Sequence, residues 1–331
     1  MASSVSSPSE DSDAGAFDAS GIPLRIVTAA SLFDGHDAAI NVMRRLIQAA
    51  GCEVIHLGHD RSALDVVKAA IEEDAHAVAL TSYQGGHMEY FTYIRELLDA
   101  AGRPDIRLFG GGGGTITPPE IRDLHAAGIT RIYSPDDGRR MGLLGMIDDL
   151  VGQARGCDLL GGDSSLNGPV SPNDRHKVAR LISIAENADA VTFAQALKTC
   201  RSRPMEARVP VIGFTGTGGA GKSSLLDELM RRITTQNPQL NIAMLCTDPT
   251  RKRTGGALLG DRIRMNTLSS DRLFFRSLAS RASGKEISES TREAIEVCQA
   301  TGYDLIFVET SGIGQGSDAI LEVADISLYV M

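Results

Sequence analysis

Residues 24–47 read LRIVTAASLFDGHDAAINVMRRLI. Leu24–Ala29 is a short apolar run, the pattern of a strand buried on both faces. Beyond it the apolar residues recur at helical spacing, so a helix is expected over 37–51. Strand and helix meet at Asp34-Gly35-His36-Asp37, one imidazole between two carboxylates. The alternation continues, with strands expected at Glu53–Leu57, Ala77–Thr81, Ile106–Gly110 and Arg131–Tyr133, and helices near 62–74, 87–101, 118–127 and 138–153. Short apolar strands separated by amphipathic helices build βαβ units and a parallel sheet. Five such strands predict a flavodoxin-like α/β sheet whose ligands sit at the carboxyl ends of the strands.

Composition narrows what such a chain can do. Of 331 residues, 33 are Lys or Arg and 42 are Asp or Glu, a formal net charge of −9. That balance argues against a general nucleic-acid binder, which needs clustered cations to neutralise phosphates. Nucleotides stay open, because local loops hold them. The five cysteines are widely spaced with no Cys-x-x-Cys pair, which fits neither a disulfide framework nor a zinc site and suits a reducing cytosol. No apolar run reaches membrane-span length, so a cytoplasmic location with no membrane partner is expected.

Residues 1–22 are rich in Ser, Ala, Asp and Gly and hold no Lys or Arg, which predicts a disordered tail rather than a targeting signal. The first α/β domain is expected over 23–155. Gly, Ser, Pro and Asp crowd the stretch from Gly156 to Asp174, so 156–208 reads as a linker carrying helices near 175–187 and 192–200. A second α/β pattern begins at Val209-Pro210-Val211 and occupies 209–331.

That second domain carries Gly216-Thr217-Gly218-Gly219-Ala220-Gly221-Lys222-Ser223, a G-x-x-x-x-G-K-[ST] loop between an apolar strand and the helical run from Ser224. Glycines let successive backbone N–H groups converge on phosphate oxygens at a helix N-terminus. Lys222 can reach the β- and γ-phosphates, and the Ser223 hydroxyl can ligate Mg²⁺. Acidic strand ends supply further candidate Mg²⁺ ligands in Asp248 and Glu309, and Asp261 follows a Gly-rich loop. Lys222 and Glu309 are the candidate catalytic residues. Glu309-Thr310-Ser311-Gly312 looks like the Asp-x-x-Gly element of GTPases, with Gly312 placed to sense a γ-phosphate.

For His36, a neutral imidazole can bind a metal through one nitrogen when an acceptor holds the other, and Asp34 on the same loop is that acceptor. Ser82 ends the third strand, and Gly110 to Gly114 end the fourth in five consecutive glycines. In a parallel sheet these open at the edge that carries His36. The glycine run leaves a surface without side chains, against which a ligand's appendage can lie.

Asp-x-His, a Ser-led strand end and Gly-Gly at these spacings resemble the cobalamin-binding domain of base-off, His-on B12 mutases. The family pattern is Asp-x-His-x-x-Gly, Ser-x-Leu and Gly-Gly; this chain has Ala39 for the first Gly and Gln84 for Leu. The second domain resembles the GTPase chaperones of those mutases, on Thr215–Ser224, Asp248 to Gly256 and Glu309 to Gln315. The two joined in one chain look like the fused isobutyryl-CoA mutases. That resemblance implies adenosylcobalamin with His36 as lower cobalt ligand, its displaced tail along Ser82, Gly110, Gly111 and Gly112, and GTP with Mg²⁺ on Gly216 to Ser224. It also implies isomerisation of isobutyryl-CoA to n-butyryl-CoA, a substrate barrel that this sequence lacks, and a homodimer. The sequence ends at Met331 before any Asn-Lys-x-Asp, so the GTPase domain is expected to be truncated. The alternative is a non-catalytic cobalamin carrier or sensor coupled to a nucleotide switch. A corrinoid methyltransferase would carry a helical module ahead of the B12 domain. A receiver domain is set aside, because the third strand ends in Thr81-Ser82 rather than a phospho-acceptor Asp.

Overall fold

The computed structural model describes residues 16–157, 159, 166–204, 208–250, 254–268, 270–281, 287–312 and 318–331. Strands β1 (Arg25–Ser31), β2 (Glu53–Arg61), β3 (Ala77–Thr81), β4 (Arg107–Gly111) and β5 (Arg131–Tyr133) alternate with helices α1 (Asp37–Ala49), α2 (Ala63–Glu72), α3 (His87–Ala100), α4 (Pro118–Ala126) and α5 (Pro135–Ala154). All seven residues of β1 are buried, as expected of a central strand covered on both faces. Capping boxes start α2 at Ser62 with Asp65 and α5 at Ser134 with Asp137. The second box sets the start of α5 at Pro135, ahead of the expected 138.

After this come α6 (Arg175–Asn187), α7 (Ala190–Cys200), β6 (Val211–Gly216), α8 (Lys222–Gln236), β7 (Ile242–Asp248), β8 (Ala257–Leu259), β9 (Leu273–Ala279), α9 (Thr291–Thr301), β10 (Leu305–Glu309) and β11 (Ile326–Val330). The second sheet runs β11-β6-β10-β7-β9, all parallel. Helices α6 and α7, in the stretch expected as linker, bury Val178, Leu181 and Leu197 in one core with Phe274, Val297 and Ile306 of the second domain.

The first sheet differs from expectation. Its order is β5-β4-β3-β1-β2-β8, so six strands rather than five, and the sixth comes from the second domain. Ala257, Leu258 and Leu259 pair in parallel with Glu53, Val54 and Ile55. Gly256 makes the entry possible, since a Cβ there would lie 2.1 Å from the Gln48 carbonyl oxygen. The expected tail also narrows. Residues 1–15 lie outside the described residues, whereas Ala16 is buried and Phe17 bridges Pro23. Asp18 Oδ1 accepts the amides of Ser20 and Ile22, both at 2.9 Å.

Buried charges seal the seam between the domains. Arg262 Nη2 donates to Glu72 Oε2 at 2.6 Å, and Arg25 reaches Glu53, Glu73 and Glu186 at 2.9, 3.4 and 3.2 Å. Arg276 of β9, fully buried, meets Glu186 at 2.6 Å. Glu73 accepts the Ser277 amide at 3.0 Å. Charges this deep persist only when paired, and losing one partner typically costs about 3–5 kcal/mol.

Candidate functional site

The first strand delivers the histidine. Backbone leaves β1 at Ser31, turns through Leu32 to Gly35, and enters α1 just after His36. Asp34 is fully buried, whereas the His36 side chain is 66% exposed. Asp34 Oδ1 sits 2.8 Å from His36 Nδ1 and accepts the His36 amide at 2.9 Å. Its Oδ2 accepts the Tyr83 amide at 2.7 Å. Burial pushes this carboxyl up, but the Tyr83 and His36 hydrogen bonds outweigh that and hold it below its ordinary range. An ionised carboxylate on Nδ1 keeps a proton there and turns Nε2 into the available lone pair. Asp34 and His36 are thus brought together as the sequence implies. The anchoring role of the Tyr83 amide carries no side-chain signature and could not be read from the sequence.

Ser82 is buried beside them, accepting from Ser31 Oγ at 2.9 Å, and its amide donates to Gly111 O at 2.9 Å. Between α1, α5 and the sheet lies an apolar cavity of about 400 Å³, lined among others by Ile40, Met43, Phe109, Gly111, Tyr133 and Met146. Gly110, Gly111, Gly112 and Ala39 also border it. The glycines differ in what they tolerate. A Cβ on Gly110 would meet the Phe91 ring at 2.4 Å, and one on Gly112 the Ser82 carbonyl oxygen at 1.9 Å, while on Gly111 the nearest atom is Tyr133 O at 3.4 Å. Gly110 and Gly112 therefore serve the packing of the fold, and Gly111 is the position where a side chain would enter open cavity. Gln84 is exposed and does not line the cavity. A histidine with Nδ1 fixed, its ring 5.4 Å from that of Tyr83 in the wall of an apolar cavity that Gly111 leaves open, fits a flat metal macrocycle with an apolar appendage.

The second site forms where β6 turns into α8. Gly216, Gly219 and Gly221 take φ of 143°, 83° and 91°, a left-handed backbone that suits glycine. Lys222 is buried, and its Nζ donates to the carbonyls of Gly216 at 2.9 Å and Thr217 at 3.1 Å. Gly312 lies flush against this loop, since a Cβ there would come 2.5 Å from Lys222 Nζ. Ile313, Gly314 and Gln315 lie outside the described residues, as do Arg251, Lys252 and Arg253. Thr217 to Ala220 cross from β6 to Gly221, and Ser224 follows in the first turn of α8.

Ser223 Oγ donates to Glu309 Oε1 at 2.7 Å. Ligand atoms of Glu309, Asp261 and Cys246, all buried, lie within 4.8 Å of one another. Asp248 is buried nearby with Oδ2 lacking any hydrogen-bond partner among the described residues. Burial pushes the Asp248 carboxyl up to about 7, against Arg264 and with Glu309 adding to the rise. Burial also raises Glu309, against its bond to Ser223 and the charge of Lys222. Acids forced up in this way gain most from a cation. Ser223, Asp261 and Glu309 offer hard oxygen donors of the kind Mg²⁺ takes. Cys246, which the sequence reading missed, offers a soft sulfur, and burial with Glu309 and Asp248 nearby keeps its thiol protonated. Arg264 pairs with Asp261 and would have to yield it to a metal.

Residues 24–137 match the family model of the B12 binding domain, and residues 178–331 that of methylmalonyl Co-A mutase-associated GTPase MeaB. A fused isobutyryl-CoA mutase from Geobacillus kaustophilus is 53% identical over 314 residues, 93% of this chain and 29% of that protein. Another from Cupriavidus metallidurans is 53% identical over 93% of this chain and 28% of its own length. A putative GTPase of Pyrococcus horikoshii is 41% identical over 158 residues, 47% of this chain and 48% of its own. The chain thus spans less than a third of the length of the curated mutases it matches. No helix among the described residues is long and apolar enough to cross a membrane. The chain carries a B12-binding domain followed by a MeaB-type P-loop GTPase domain, and over nearly all of its length it is similar to fused isobutyryl-CoA mutases.

Proposed function

We propose that this chain is the cofactor-binding and GTPase portion of an adenosylcobalamin-dependent mutase that converts isobutyryl-CoA to n-butyryl-CoA. His36 Nε2 would be the lower cobalt ligand, and the displaced nucleotide tail would fill the apolar cavity beside Gly111. When bound, the cofactor supplies a radical by homolysis of its cobalt–carbon bond. This chain's own residues do the holding: Asp34 keeps the proton on His36 Nδ1, and the Tyr83 amide keeps Asp34 in place. The acyl-CoA would be bound by parts of the full-length protein outside these residues.

GTP would lie on the P-loop with Lys222 offsetting β- and γ-phosphate charge, and Ser223, Asp261 and Glu309 holding Mg²⁺. The segment from Gly256 to Arg264 would carry the nucleotide state to the cofactor, because it supplies both Asp261 and the sixth strand of the B12 sheet. The observation that carries the reading is Asp34-held His36, its ring 5.4 Å from that of Tyr83 in the wall of the cavity that Gly111 borders. Adding a non-hydrolysable GTP analogue with Mg²⁺ to the cobalamin-bound chain should change the cobalamin release rate severalfold, and Lys222→Ala should abolish that change. An unaltered release rate would count against coupling between the domains.

A further inference from the structure

A second cavity, of about 380 Å³, lies between α1, β2 and β8. Its size falls in the range of about 300–1,000 Å³ usual for small-molecule sites. Ile40 borders both cavities, yet their chemistry differs. Both domains wall the second one, with Arg44, His56 and His59 from the first and Ile263 and Arg264 from the second. Every charged side chain lining it is basic, and Asn41 adds an amide.

His56 is buried, and its Nδ1 lies 3.0 Å from Thr28 Oγ1, which leaves Nε2 to another partner. Burial holds this imidazole neutral down to about 4, and the charges of Arg44 and Arg61 add to the lowering. Arg44 Nε donates to Asn41 Oδ1 at 2.8 Å, and Arg264 also pairs with Asp261. A recess lined by one sign of charge and walled by apolar groups concentrates counter-ions, and guanidinium forks match the geometry of phosphate oxygens.

We propose that this seam cavity binds a small phosphate-type dianion, either free phosphate or the phosphate of a monoester, and that its occupant ties α1 of the B12-binding domain to the β8–Arg264 segment of the GTPase domain. The site adjoins both of the others without coinciding with either, since it shares Ile40 with the cobalamin cavity and its Arg264 pairs with Asp261 of the Mg²⁺ donor set.

The test uses the whole chain carrying Lys222→Ala, which disables the P-loop as a competing phosphate site. Calorimetry with inorganic phosphate at constant ionic strength should show saturable binding, and the His56 ring resonances should shift with the same saturation. Arg44→Gln with His59→Gln should weaken binding at least tenfold without changing the unfolding temperature in phosphate-free buffer. Glycerol 3-phosphate binding more tightly than phosphate would assign the remaining cavity to the carbon chain of an ester, and equal affinities would assign the site to free phosphate. Absence of saturable binding, a His56 shift that follows ionic strength alone, or binding unaffected by the double substitution would overturn the proposal.

Discussion

Asp34 Oδ1 lies 2.8 Å from His36 Nδ1 while Asp34 Oδ2 holds the amide of Tyr83 at 2.7 Å. One buried carboxylate therefore fixes the orientation of the exposed imidazole and ties the loop after β1 to the end of β3. The orienting group and the cavity wall are joined through a single side chain.

Asp34→Asn removes the charge that holds the proton on Nδ1 but keeps a similar shape. Cobalamin affinity should fall by about 10–100-fold, the range for losing a partner that orients a metal ligand. Titration of the cofactor by absorbance checks it, and unchanged affinity would separate Asp34 from the site.

Gly111→Val and Gly112→Ala should part company. Valine at 111 projects where the nearest obstacle is Tyr133 O at 3.4 Å, so it should obstruct the cavity and lower cobalamin affinity at least tenfold with little change in thermal unfolding. Alanine at 112 would meet Ser82 O at 1.9 Å and force the backbone apart, destabilising by about 1–3 kcal/mol. Paired measurement of unfolding temperature and affinity distinguishes the two.

Arg262→Met should loosen the seam. It removes the 2.6 Å bond to Glu72 and the 3.2 Å bond to the Phe275 carbonyl, leaving buried acid partly unpaired at a cost of about 3–5 kcal/mol. Urea unfolding followed by a probe in each domain should then show two separated transitions. A single transition at the wild-type midpoint would mean that the pair contributes little.

His56 gives the pH dependence a sign. Its pKa falls from 6.5 to about 4 on folding, through burial and the charges of Arg44 and Arg61. Between those values the unfolded chain binds a proton that the folded chain does not, so stability rises with pH across the window. The contribution is complete above about 6.5 and is lost as pH falls toward 4. His56→Gln should flatten the change in urea midpoint between these two pH values, and a slope identical to wild type would refute the assignment.

Much of this arrangement was legible in the residues, and the gaps have physical causes. Strands β1 and β3 are short, mostly apolar runs buried along their whole length, and the P-loop must have its glycines at fixed spacing, so each leaves a local signature. Strand β8 is three residues long, Ala-Leu-Leu, and pairs with a strand some two hundred positions earlier, so no periodicity announces it. The Arg262–Glu72 bond spans 190 positions and exists only once both domains are folded. Ser134 and Asp137 did spell out a capping box, and reading α5 from 138 overlooked it. Cys246 escaped notice because a buried thiol in a strand looks like ordinary core.

The claim that His36 replaces the cofactor's own base is open to one direct measurement. Cob(II)alamin has an unpaired electron directed along the axis of its lower ligand, so its electron paramagnetic resonance lines split according to the nuclear spin of that nitrogen. Protein labelled with ¹⁵N-histidine and loaded with unlabelled cob(II)alamin should show a doublet, which His36→Ala should remove. A triplet that survives the label would mean that the cofactor's own ¹⁴N base remains on cobalt, and would contradict the account.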